Sequence, residues 1–186
     1  MDINKSKKIL VVVDMQNDFV SGALGSPEAQ AIVDNVVKKI LDFDGNIFYT
    51  LDTHTEDYLE TQEGKNLPVK HCIAGTDGWA PNAAVWMALM HQQVADEPHM
   101  IAKDTFGGVS LPMRIHEMLE GEDPEEITLV GLCTDICVIS NALLLKAFYP
   151  EAKITVDASC CAGATPEGHK TALAAMKPCQ IEIVNE

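Results

Sequence analysis

No stretch of this chain stays apolar long enough to cross a bilayer or to form a signal-peptide core; the run "ILVVV" near the N-terminus stops at Asp14. The sequence therefore predicts neither export nor anchoring, and the expected compartment is the cytoplasm. Basic residues are scarce, with 13 Lys and Arg against 28 Asp and Glu, a formal net charge of −15. That field opposes phosphate backbones and anionic lipid, so no nucleic-acid or membrane partner is expected, and the acidity itself serves solubility. Repeats, linkers and low-complexity tracts are also missing, so residues 1–186 are expected to form one domain. A domain of this size buries roughly 70% of the surface its unfolded chain exposes and needs no covalent staple. Its cysteines, Cys72, Cys133, Cys137, Cys160, Cys161 and Cys179, are scattered, which favours reduced thiols.

What the chain does have is a series of short apolar runs closed by polar breaks: "KKILVVVD", "GNIFYTLD", "HMIAKD", "EEITLVGL", "AKITVDAS" and "QIEIV". Continuously apolar runs of this length predict strands buried on both faces. Segments with helical spacing lie between them. "SPEAQAIVDNVVKKILDF" carries Ser26 as candidate N-cap and Pro27 at the first helical position. "APNAAVWMALMHQQVA", "SLPMRIHEMLEG", "DICVISNALLLKAF" and "TPEGHKTALAAMK" also read as helices. The alternation predicts an α/β fold of three layers around a central, mostly parallel six-stranded sheet.

Such sheets bind ligands beyond the carboxyl ends of their strands. At those ends stand Asp14 after "ILVVV", Asp52 after "IFYTL", Lys103 and Asp104 after "MIA", and Cys133 to Cys137 after "ITLVGL". A helix starting near Thr134 or Asp135, either of which could cap it, places Cys137 in its first turn. Free N–H groups and the helix dipole there favour a thiolate, which makes Cys137 a candidate nucleophile with a lowered pKa. Asp14, ending an apolar strand, is the candidate proton acceptor, its proton affinity raised by loss of water. Lys103 is placed to hold carboxylate and thiolate in their charged forms. Taken singly, each of these residues is better read as a packing, capping or surface residue; their convergence is what implies chemistry. Cys72, Cys160, Cys161 and Cys179 are expected to be small buried hydrophobes, and His91, His99, His116 and His169 to sit on helix surfaces or loops.

A second constellation occupies "DTHTEDYLETQEGKNLPVKHC". Asp52 and His54 are two apart, so in an extended segment they face the same way and could share a metal ion, with His71 returning at the end of the loop. Glu56, Glu60 and Glu63 are candidates for further ligands. Mixed carboxylate and imidazole donors suit Zn²⁺, Fe²⁺ or Mn²⁺ better than Ca²⁺ or Mg²⁺.

The blocks "VVVDMQNDF", "KDTFGG" and "GLCTDICV", in this order, make the chain resemble the isochorismatase-like cysteine hydrolases over nearly its whole length, and within them the nicotinamidase/pyrazinamidase branch. The resemblance implies that family's Rossmann-like fold, a catalytic triad of Asp14, Lys103 and Cys137, and a metal site that includes Asp52, His54 and His71. Glu63 is taken as the fourth ligand from its loop position, with Zn the expected ion and Fe or Mn the alternatives. A cis peptide before Cys133 is implied too, turning the backbone amides of Cys133 and Cys137 towards one point as oxyanion donors, with Phe19 as an aromatic contact to substrate. The implied reaction converts a small carboxamide, nicotinamide foremost, to nicotinate and ammonia through a thioester, in a homo-oligomer. The chain departs from the pattern in two places: "NLPVKHC" lacks the tryptophan that commonly precedes the P-x-H-C segment, and Cys133 stands where alanine is commoner. The first departure keeps other small amides and N-carbamoyl compounds open as substrates. A vinyl ether of the isochorismate type is disfavoured by the metal-like loop, and a catalytically silent ligand-binding relative by the intact triad.

Overall fold

The computed structural model describes residues 6–186, so residues 1–5 of the expected domain lie outside the described residues. Strands β1 (Lys8–Val13), β2 (Asn46–Asp52), β3 (Met100–Lys103), β4 (Glu126–Leu132), β5 (Lys153–Ala162) and β6 (Ile181–Val184) fall on the six apolar runs. They form one sheet in the order β3-β2-β1-β4-β5-β6, parallel at every pairing. Helices α1 (Asn17–Val20), α2 (Pro27–Ala31), α3 (Val33–Asp42), α4 (Gln62–Asn66), α5 (Ala83–His91), α6 (Leu111–Met118), α7 (Ile139–Phe148) and α8 (Pro166–Met176) complete the three layers.

The continuous apolarity of the strands is explained by two cores. Ile9, Val11, Val13, Ile127 and Leu129 share one with Leu111, Ile115, Ala142, Leu145, Leu173 and Met176 of α6, α7 and α8. Leu10, Val12, Val130 and Leu132 share the other with Phe19, Val36, Ile40, Val85 and Leu89 of α1, α3 and α5. Each such side chain contributes roughly 1.5–3 kcal/mol by leaving water, so a polar substitution at these positions costs a comparable amount.

Ser26 caps α2, its hydroxyl accepting from the Ala29 amide at 3.0 Å, with Pro27 at the first position. The expected single helix over 26–43 is two, parted at Ile32, which is both the end of α2 and the entry to α3. All six cysteines are unpaired; Cys179 is exposed rather than buried, because it sits in a short turn after α8. Among the described residues no helix is long and apolar enough to cross a membrane.

The strand order reverses between β1 and β4, and a crevice opens there beyond the carboxyl ends. Gly131, paired with Val13 near those ends, has φ +116°, and a Cβ added to it would run into the Val13 carbonyl oxygen. Only glycine fits both the backbone angle and the close approach. Beside it the register between β4 and β5 slips between Leu129 and Gly131, where β5 carries the extra residues.

Candidate active site

Asp14 leaves β1 in the left-handed region, φ 47°, an uncommon conformation for a residue with a side chain. Its carboxylate is fully buried and accepts from the Thr50 hydroxyl at 2.6 Å. Lys103, the last residue of β3, brings its Nζ to 2.7 Å from Asp14 Oδ2 and 3.1 Å from Asp52 Oδ1. The same ammonium donates to Cys137 Sγ at 3.5 Å. One buried cation thus touches two carboxylates and a thiol that come from the ends of β1 and β2 and from the turn after β4.

Burial raises the Asp14 pKa above its ordinary value; Lys103 pulls it down and the Asp52 charge pushes it up again. Cys137 goes well above its usual range for the same reasons, burial first and then the Asp14 charge, with Lys103 opposing. The expected lowering of the thiol pKa is therefore overturned: at a site this dry, desolvation of a thiolate outweighs the partial charge of a helix start. Lys103 is itself desolvated, yet the Asp14 and Asp52 carboxylates beside it raise its pKa. A sulfur so placed favours the thiol form, and to act as a nucleophile it would need a base.

The turn that carries Cys137 is a π-helical turn, Thr134–Val138, leading into α7. The peptide bond between Leu132 and Cys133 is cis. The Cys133 carbonyl accepts from the amides of Ile136 and Val138. Neither Thr134 nor Asp135 caps this turn, contrary to expectation, because both side chains are engaged elsewhere. Thr134 Oγ1 is 2.8 Å from His169 Nδ1, and Asp135 accepts from the Ala164 amide at 2.9 Å. Asn141 binds the turn from below, donating to the Cys137 carbonyl and accepting from the Gly108 amide, each at 2.8 Å. It thereby joins the cysteine block to the "KDTFGG" block.

On the other side of Lys103, ligand atoms of Asp52, His54, Glu63 and His71 all lie within 4.8 Å of one another. Asp52 Oδ2 is 2.9 Å from His54 Nε2 and 3.4 Å from His71 Nε2; Glu63 Oε1 is 3.6 and 3.8 Å from the same two nitrogens. His71 is oriented by a 2.8 Å contact between its Nδ1 and the Val69 carbonyl, which leaves Nε2 for the cluster. His54 Nε2 is buried and, although 2.9 Å from Asp52 Oδ2, is not aligned for a hydrogen bond to it. Two imidazole nitrogens and two carboxylates, one of the nitrogens orphaned, fit a first-row divalent ion. Glu56 and Glu60 fall outside the cluster; Glu56 is turned outward to Lys70. Tyr58, fully buried, packs its ring 4.6 Å from that of His54 and 4.9 Å from that of His71, and its hydroxyl lies 3.5 Å from Glu63 Oε1.

A cavity of about 210 Å³ joins the two constellations, lined by Asp52, Glu63 and His71 on one side, Cys133 and Cys137 on another, and Phe19, Leu24, Leu67, Phe106 and Ile136 between. Phe19 comes from α1, its ring 5.5 Å from that of His71. A larger groove of about 620 Å³, lined by Lys8, Lys39 and Asp157 among others, contains none of these residues.

The model of the isochorismatase domain matches residues 8–185. The chain belongs to the isochorismatase family. Over 179 residues, 90% of this chain and 92% of the relative, it is 29% identical to the uncharacterized isochorismatase family protein PncA of Bacillus subtilis. Among solved structures it is similar to the nicotinamidase/pyrazinamidase PncA from Bacillus subtilis, at TM-score 0.80 and 26% identity over 96% of this chain and 99% of that one. It is also similar to the pyrazinamidase of Pyrococcus horikoshii in complex with zinc, at TM-score 0.75 and 27% identity over 97% and 99%. The three-layer isochorismatase fold expected from the sequence is the one observed.

Within that fold, Asp14, Lys103 and Cys137 come together, as do Asp52, His54, Glu63 and His71. Four contributors were not legible. Thr50 lies inside an apolar strand run, where a lone hydroxyl was the available signal. Gln16 is fully buried, its side chain donating to the Asp52 carbonyl and accepting from the Asp52 amide, both at 2.8 Å, so it fixes the Asp52 backbone. Tyr58 and His169 sat in segments read as loop and helix surface.

Proposed function

We propose that this isochorismatase-family protein is a cysteine-dependent amidohydrolase that cleaves a small carboxamide, nicotinamide foremost, to the carboxylate and ammonia. The observation that carries this reading is the single Lys103 ammonium 2.7 Å from Asp14 and 3.5 Å from Cys137, whose side chain lines a small, largely apolar cavity. The relatives named nicotinamidase and pyrazinamidase support the substrate class.

The buried thiol is protonated, so attack begins with Asp14 taking its proton as the sulfur–carbon bond forms. Lys103 stabilises both partners throughout without changing its own state. The backbone amides of Cys133 and Cys137 receive the oxyanion; losing one such donor typically costs about 2.7–4 kcal/mol. As the C–N bond breaks, Asp14 returns the proton to the leaving nitrogen, and ammonia departs. Asp14 then deprotonates a water that attacks the thioester, the C–S bond breaks, and the sulfur recovers a proton. Asp52, His54, Glu63 and His71 hold a divalent ion, Zn with Fe or Mn as alternatives, which when bound supplies Lewis acidity towards a substrate heteroatom. Phe19 positions the ring.

A second reading, another small amide or an N-carbamoyl compound, is favoured by Leu67, an aliphatic residue on the cavity wall at the segment where the branch commonly carries tryptophan. Ammonia release by metal-analysed protein, measured with nicotinamide beside a panel of aliphatic amides and N-carbamoyl amines, tests both. Preferential turnover of nicotinamide supports the first reading, and release from the panel alone supports the second. A cytoplasmic homo-oligomer completes the proposal; Met87 and Met90 of α5 are exposed apolar side chains available to such an assembly.

A further inference from the structure

The π-helical turn bearing Cys133 and Cys137 is held from the side by α8 through two contacts. Thr134, completely buried, meets His169 Nδ1 at 2.8 Å. Asp135 accepts from the Ala164 amide at 2.9 Å, just ahead of α8, and its carboxylate closes on Gly168 in that helix's first turn, where a Cβ would collide with it. Nothing in the reaction above uses either contact. Yet they fix two of the three residues that lie between the candidate oxyanion amides, whose angular placement decides whether both N–H groups aim at one oxygen. Burial pushes the His169 pKa below its ordinary value, so the ring is neutral and offers one donor and one acceptor nitrogen.

We infer that His169 is a positioning residue for the catalytic turn: through Thr134 it locks the turn so that the Cys133 and Cys137 amides and the Cys137 thiol stay aligned. The inference rests on the amidase reading of the site. Asp135 anchors the same turn, but its carboxylate also packs closely against Gly168, so His169 is the cleaner handle.

The test compares His169→Ala, His169→Asn and Thr134→Val with the wild type. Asn places an amide atom where Nδ1 stands and can keep the bond to Thr134. His169→Ala is expected to lower kcat about tenfold or more with little change in KM, the pattern of misaligned reacting groups rather than lost binding. His169→Asn should restore most of that loss, and the His169→Ala/Thr134→Val double variant should be no worse than the poorer single variant.

A second readout needs no turnover. The rate at which iodoacetamide alkylates Cys137, followed by peptide mapping, should rise severalfold in His169→Ala, where the turn loosens around a buried sulfur, and return towards wild type in His169→Asn. If the wild type releases no ammonia from any amide, the amidase reading fails while the alkylation pattern still decides the role of His169. Wild-type kcat in His169→Ala, additive losses in the double variant, or an unchanged alkylation rate would each overturn the inference. Thr134→Val keeps it testable should His169→Ala fold poorly, because its side chain retains the volume.

Discussion

Lys103 Nζ lies 2.7 Å from Asp14 Oδ2, and both side chains are almost completely shielded from water. Neither group can then be treated alone: the lysine is what permits a carboxylate to be charged at so dry a position, and the carboxylate is what keeps the lysine charged.

Activity should fall on the acid side as Asp14 gains its proton. Because burial raises that pKa above 3.8, the base form appears only as pH climbs past the raised value. The acid limb of kcat/KM, which reports the free enzyme, is expected above 3.8 and should vanish with Asp14→Asn, whose turnover drops by about 10²–10⁴-fold. A limb at or below 3.8 in the wild type would count against Asp14 as the base.

Lys103→Met leaves the Asp14 charge buried beside Asp52 with no cation between them. Breaking one side of such a pair typically costs about 3–5 kcal/mol, visible in chemical denaturation at neutral pH. Lys103 is also what pulls the Asp14 pKa down, so its loss should move the acid limb to higher pH. Linkage fixes the sign for stability as well: with the folded pKa raised further, Asp14 disfavours the fold increasingly as pH rises through that value, so the variant should be relatively more stable in acid. Unfolding curves that show the same deficit at pH 4 and pH 7 would contradict this.

Metal content should separate ligands from their supports. His54→Ala is expected to lose stoichiometric divalent ion. Tyr58→Phe, which removes only the hydroxyl near Glu63, should weaken affinity about tenfold while still binding. Competition with a chelating dye measures both; a Tyr58→Phe affinity equal to wild type would confine Tyr58 to ring packing.

Gly131→Ala should destabilise the protein by about 1–3 kcal/mol or more, from strain at φ +116° and collision with Val13. Because Gly131 sits between the ends of β1 and β4, activity should fall with it. Thermal melts showing an unchanged midpoint would mean the backbone relaxes at no cost.

Most of the frame was readable in advance because a parallel sheet buries its strands on both faces, so six apolar runs stand out from the chain, and the polar residues that end them mark the rim. Asp14, Asp52, Lys103 and Cys137 were picked out for that reason, His54 by its two-residue spacing from Asp52, and His71 by its return at the end of the loop. The thiol pKa was not, since a helix start is visible in sequence while the desolvation of Cys137 and the nearby Asp14 charge exist only after folding. The caps failed likewise: Thr134 and Asp135 have the right chemistry, but α8, more than 30 residues downstream in contact with Thr134, claims one of them through His169. Glu63 could not be told from Glu56 and Glu60 by spacing, because the short helix α4 that turns it inward has no strong periodic signal.

The central claim is that a sulfur atom carries the acyl group. The direct measurement is ammonia production from nicotinamide by Cys137→Ala, loaded with the same metal and shown by circular dichroism to be folded. The account predicts no production above the uncatalysed background. Turnover by that variant within tenfold of wild type would mean that the bond is cleaved without the cysteine.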